Sequence, residues 1–251
     1  MDAHIYKSYL RNWMNAVNEI NEPDGIEQNN TTESIRETGT MPLQQPASDI
    51  HCITVIGQIE GHMVLPPQNK TTKYEHIIPQ LIAIEESKDI KGVILILNTV
   101  GGDVEAGLAL AELISTMSKP VVSLVLGGGH SIGVPLAVSA KHSIIASTAA
   151  MTIHPIRMNG LFIGSPQTYD YMNKMQERFI GFVVEHSNIS REKFSELMLN
   201  TGDIANEIGT VLVGQEAVDC SIIDEVGGID TAMKRLRELI DLKENETGNS
   251  H

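Results

Sequence analysis

Four scarcities in this 251-residue sequence bound what it can be. Aromatic residues make up 4% of it, so a core must be assembled from Ile, Leu, Val, Met and Ala. Basic residues number 18 against 32 acidic ones, a formal net charge of −14. That balance disfavours nucleic acid and anionic membrane surfaces, both of which reward clustered Lys and Arg. The two cysteines, Cys52 and Cys220, lie far apart and fit no CxxC or zinc spacing. They are expected as buried thiols in a reducing cytosol rather than as a disulfide. The amino terminus lacks the basic start and apolar stretch of a signal peptide. No metal or cofactor is implied, because neither glycine-rich stretch fits GxGxxG or GxxxxGKS.

One uncharged run is long enough to cross a membrane: residues 121–140, VVSLVLGGGHSIGVPLAVSA. Its three glycines, proline and histidine argue against a spanning helix, and a strand, a glycine turn and a buried helix explain the same letters. No membrane insertion is expected.

Residues 1–20 could form a short amphipathic helix, and 21–49 are polar and punctuated by Pro and Gly. Residues 1–49 are therefore expected as a largely disordered extension, 50–242 as one domain and 243–251 as a disordered tail. Within the domain, CITVIGQI, GVILILN, PVVSLVL, SIIAS and MTIH have the apolar character of strands. TKYEHIIPQLIAIEESK, with Pro79 inside it, and DVEAGLALAELISTMS read as helices, as does SIGVPLAVSA. From Pro166 to Leu199 the chain turns helical, with Ser190 a candidate N-cap, and TAMKRLRELIDL closes the domain as an amphipathic helix. Strands alternating with helices predict an α/β fold with a parallel sheet.

Two strand ends carry glycines just before a helix, NTVGGDVEAG and GGGHSIG. Glycines there leave backbone N–H groups bare and permit close approach, as an oxyanion hole requires. Ser131 would sit on the second turn with the mechanics of a nucleophile elbow, although GxSxG is absent. His154 ends the strand MTIH and is held extended by the following proline. Taken singly, Ser131 reads as an N-cap and His154 as structural; together with a pair of N–H donors they read as a catalytic group.

LNTVGGDVEAG, GGGHSIGVPLAVSA and MTIHP, in this order and spacing, resemble the Clp protease proteolytic subunit family of serine peptidases. The resemblance implies a ClpP/crotonase-like fold of repeated β-β-α units with a projecting helical handle over 166–187. It further implies a homo-oligomeric ring acting on peptide or unfolded protein substrates. By position, Ser131 is the nucleophile, His154 its base, and Gly102 and Ile132 donate the oxyanion-hole amides. The family's acid register, counted back from QEA at Glu216, falls on Gly209, which has no side chain to offer. Glu207 is the preferred third member, with Asp203 second. A closer resemblance, carried by TKYEHIIPQLIAIE, PQTYDYMNKMQERF and HSNISREKFSELM, is to a secretion-assisting branch of the family. That implies a cytoplasmic enzyme degrading precursors or cleaved signal peptides.

Three departures accompany the resemblance. Val100 stands where the family has proline, His130 precedes the serine in place of a small residue, and residues 1–49 replace a short axial loop. The last bears on docking of an unfoldase ATPase. Rival readings are a crotonase-like CoA-thioester enzyme, which would need an acid that residues 127–157 lack, and a catalytically silent binding subunit. A Ser–Lys dyad through Lys141 would have to span about 15 Å of helix.

Overall fold

A continuous apolar run such as GVILIL suits a strand covered on both faces, and the computed structural model builds the domain around such strands. The structure describes residues 48–158, 163, 165–202 and 208–248. Among them are strands β1 (Ile50–Glu60), β2 (Thr71–Lys73), β3 (Gly92–Gly102) and β4 (Val121–Gly129). They are followed by β5 (His142–Ile145), β6 (Ala150–Ile153), β7 (Thr210–Val213) and β8 (Glu225–Val226). The helices are α1 (Tyr74–Glu86), α2 (Val104–Ser115), α3 (Gly133–Val138), α4 (Pro166–Glu185), α5 (Arg191–Leu199), α6 (Gln215–Asp219) and α7 (Ile229–Gly248).

The main path of the sheet runs β2-β1-β3-β4-β5-β8, all parallel. Strand β6 leaves this path, pairing with β4 at one point and antiparallel with β7. Helix α7 covers one face, where Ala232, Leu236 and Ile240 pack on Ile94, Val122 and Leu124. The opposite face carries the larger core, including Leu81 of α1, Leu110 of α2, Leu136 of α3 and Phe179 of α4. The uncharged run 121–140 is divided among β4, the turn and α3, and among the described residues no helix is long and apolar enough to cross a membrane.

Helix α4 starts at Ser165, whose hydroxyl accepts the Thr168 N–H, with Pro166 in the first turn where a missing N–H matters least. Its apolar positions do not share one fate. Met175, Phe179, Ile180, Phe182 and Val183 are buried, whereas Tyr169 and Tyr171 are 73% and 51% exposed. The second half is thus anchored in the core and the first half projects, with Tyr171 on the free part rather than on the packed stripe. Ser190 does cap α5, accepting the Lys193 N–H.

Two expectations are corrected. Cys52 is exposed and Cys220 half-buried, both free thiols. The tail is helical as far as Gly248, beyond the residue where its polar composition predicts disorder. Contacts outside that composition hold it: Lys91 pairs with Glu244 at 2.7 Å and Lys243 donates to the Ser118 carbonyl. The extension expected over residues 1–49 lies, up to residue 47, outside the described residues.

Candidate active site

The glycine run at the end of β4 does a topological job. Strand β4 stays in register with β3 up to Leu97↔Val125, and pairing resumes at Thr99↔Gly129. One residue of β3 is thereby set against three of β4, a bulge of two extra residues. Asn98 fills it: its side-chain carbonyl accepts the Gly128 N–H at 3.0 Å, and a Cβ on Gly127 would lie 2.5 Å from that oxygen. Within the bulge β4 gives up β5, its partner through Val125↔Ile145, and takes β6 at Gly128↔Ala150. The chain that follows is thereby delivered to β6, which leads to His154.

Ser131 adopts φ +55°, a left-handed conformation costing a non-glycine residue roughly 1–2 kcal/mol. Ser221 does the same in an ordinary turn, so the angle alone is no signature. What distinguishes Ser131 is its surroundings. Its N–H donates to the Thr152 carbonyl of β6 at 2.8 Å, two residues before His154. Against it lies Gly101, at φ +89°, where a Cβ would stand 2.8 Å from Ser131 Cβ and 2.9 Å from the His130 carbonyl. The buried Ile132 side chain reaches α2, where only Gly107 leaves room for it.

His154 Nδ1 lies 2.7 Å from the Pro155 carbonyl. A carbonyl can only accept, so Nδ1 carries a hydrogen, and in the neutral ring the lone pair is then on Nε2. This is the tautomer a general base needs. Among the described residues no hydrogen bond joins it to Ser131 Oγ. On its other side stands Gly209, at φ +142°, where a Cβ would lie 2.9 Å from His154 Cβ and 2.4 Å from the Ile153 carbonyl. The sequence register that assigns the family's acid to position 209 thus lands on the residue that touches the histidine. Glu207 and Asp203 lie outside the described residues.

Of the two residues expected to supply amides, Gly102 ends β3 at φ +152° with a Cβ position 2.2 Å from the Ile59 carbonyl, so only glycine fits. The Ile132 amide precedes α3, whose turn bonds begin with Gly133 N–H to the His130 carbonyl and Val134 N–H to the Ser131 carbonyl. Lys141 is elsewhere. Its main chain bonds Val121, which pairs with Val93, six β3 residues from the Thr99 that faces Gly129 and therefore about 20 Å along the sheet. The Ser–Lys dyad is excluded by that separation.

Two participants were not anticipated. The Pro155 carbonyl leaves no mark in sequence beyond a proline after a histidine. The other is His130, visible only as a departure from a family pattern. Its Nδ1 is hydrogen-bonded to Thr152 Oγ1 at 2.8 Å, and its ring lies over Gly128. Burial and the neighbouring His154 together hold the His130 imidazole below its ordinary pKa.

The sequence model of the Clp protease family, described as "Clp protease", matches residues 47–230. A protein of Halalkalibacterium halodurans named translocation-enhancing protein TepA is 62% identical over 220 residues, covering 87% of this chain and 84% of its own. An ATP-dependent Clp protease proteolytic subunit of Leuconostoc citreum is 25% identical over 183 residues, covering 72% of this chain and 78% of its own. Among solved structures, a point mutant of ClpP1 from Listeria monocytogenes superposes with a TM-score of 0.57 at 20% identity. It covers 71% of this chain and 92% of that one. This last likeness is one of fold.

Proposed function

The chain belongs to the Clp protease family, and from that premise we propose that it is a serine endopeptidase working through Ser131 and His154. The observation that carries the reading is the tie from Ser131 N–H to the Thr152 carbonyl, which brings the serine turn to the strand that ends in His154. In this reading Ser131 Oγ attacks the peptide carbonyl carbon while His154 Nε2 takes its proton. The oxyanion that forms is held by the Gly102 and Ile132 amides, typically about 3–4 kcal/mol per donor. The imidazolium then gives its proton to the leaving amine, and a water activated by the same Nε2 releases the acyl group.

The third role falls to Glu207, with Asp203 its alternative. A carbonyl such as Pro155 fixes the tautomer of His154, whereas a carboxylate also stabilises the imidazolium. Exchange of one acceptor for the other would therefore raise the rate without moving the serine. The substrates are peptides and unfolded polypeptides, taken by a homo-oligomeric ring in the cytoplasm. The 62% identical relative is named for enhancing translocation, and we extend that role here as the degradation of secretory precursors or cleaved signal peptides.

A fluorophosphonate probe on the assembled wild-type protein tests the mechanism. It should label Ser131 alone, and labelling should vanish in Ser131→Ala and His154→Ala and fall in Glu207→Gln. A fall in Asp203→Asn instead reassigns the acid. No label, and no cleavage of several unstructured peptides, ends the peptidase reading. A catalytically silent binding subunit is then the better account. One observation already favours that second reading: glycine occupies the position that touches His154 where the family pattern puts its acid.

A further inference from the structure

His130 precedes the candidate nucleophile, and its surroundings are built rather than incidental. Gly128 leaves the space its ring fills: a Cβ there would come within 2.7 Å of both Cδ2 and Nε2. Its backbone N–H donates to the Thr99 carbonyl of β3, and its Nδ1 is bonded to Thr152 Oγ1 of β6. Thr152 is therefore gripped twice by two consecutive residues, through its carbonyl by Ser131 N–H and through its hydroxyl by His130. Thr152 and His154 are two apart in extended chain, so their side chains leave the same face. His130 and His154 thus lie on one side of β6, near enough for His154 to act electrostatically on His130.

We propose that His130 is a positioning residue of the candidate active site: through Thr152 it locks the turn bearing Ser131 to the strand presenting His154. The role rests on the peptidase reading, but the pairing of the two histidines does not. The groups touching His130 from β3, β4 and β6 are Thr99, Gly128 and Thr152, none of which is charged, and His154 is the titratable group acting on it. A neutral His130 lets His154 accept the serine proton; a protonated one would oppose the imidazolium.

Two measurements test this. Deuterium exchange at the imidazole Cε1 positions, read by mass spectrometry on the whole assembly, gives the titration midpoint of each histidine without requiring activity. The His130 midpoint should lie below that of a free imidazole and rise in His154→Gln; an unmoved midpoint overturns the pairing, whether or not the protein cleaves anything. The second measurement is the rate of fluorophosphonate labelling of Ser131. Thr152→Val and His130→Ala each remove the side-chain bond and should slow labelling about tenfold, acting on kcat rather than KM in a peptide assay. Thr152→Ser keeps the hydroxyl, and His130→Asn keeps a polar atom near the place of Nδ1, so both should stay within about threefold of wild type. Labelling of His130→Ala at the wild-type rate overturns the positioning role. Equal loss in Thr152→Ser and Thr152→Val would do the same, since the effect would then not depend on the hydroxyl. Absence of label on wild type itself counts against the peptidase reading and leaves the exchange experiment to decide the pairing.

Discussion

Gly101→Ala is the substitution whose effect the geometry specifies most fully. Position 101 has φ +89°, where an alanine costs roughly 1–2 kcal/mol. The added Cβ would lie 2.8 Å from Ser131 Cβ and 2.9 Å from the His130 carbonyl, both closer than the 3.4 Å at which ordinary contact begins. Overpacking of this kind costs about 1–3 kcal/mol. The sum is about 2–5 kcal/mol, and at a central 3 kcal/mol the melting temperature should drop by about 6–12 °C. To restore contact, Ser131 Cβ must retreat by 3.4 − 2.8, about 0.6 Å. A displacement approaching 1 Å at a catalytic atom can cost about a hundredfold in rate. Labelling of the folded variant should accordingly slow by one to two orders of magnitude. Gly181→Ala serves as the control: it lies within α4, its Cβ would meet nothing nearer than 3.9 Å, and it should stabilise by about 0.5–1 kcal/mol. Melting by calorimetry and labelling by intact mass decide the matter. A Gly101→Ala protein that melts within about 2 °C of wild type and labels at full rate refutes the packing described here.

Two further predictions concern the rest of the molecule. Glu225 makes a two-point ion pair with Arg235, at 2.8 and 3.2 Å, and meets His142 Nε2 at 3.2 Å. The Arg235 guanidinium chiefly, with His142 assisting, holds its carboxyl below the ordinary glutamate range. A depressed carboxyl contributes stability above its unfolded pKa and loses it as pH falls through the folded one. The melting difference between wild type and Glu225→Gln should therefore be full near pH 6 and shrink below about pH 4, and a constant difference counts against the pairing. The free half of α4 carries Tyr169 and Tyr171, which we expect to contact neighbouring subunits. Tyr169→Asp with Tyr171→Asp should lower the mass seen by light scattering, while a wild-type mass of 27.4 kDa denies the ring altogether.

Much of the fold is legible in the sequence because long apolar runs and helical periodicity have one economical solution. GVILIL can hardly be other than a buried parallel strand, and DVEAGLALAELISTMS reads as a helix, although Asp103 stands before its first turn as the N-cap, accepting the Ala106 N–H at 2.9 Å. Short elements escape this logic. Strands β2 and β8 span three and two residues, too few to show a period, and exist because neighbours offer an edge. The site divides along a similar line. Ser131, His154 and the glycines are visible, since each demands an unusual residue at a strand end. The β4 bulge and the Asn98 side chain that fills it depend on a register between distant strands, which no local pattern encodes. The grip of Thr152 by His130 is likewise a tertiary fact, joining positions 22 residues apart.

Gly209 carries an implication for the routes by which this site could change. The family pattern puts its acid at position 209, and the simplest way to supply one there is Gly209→Asp. That step is blocked. Any side chain there meets the Ile153 carbonyl at 2.4 Å and the His154 Cβ at 2.9 Å, on a backbone turned to φ +142°. An aspartate would push on the very strand it is meant to assist, so acid and backbone must change together or not at all. A carboxylate that assists His154 must therefore come from a position other than 209, the role proposed above for Glu207.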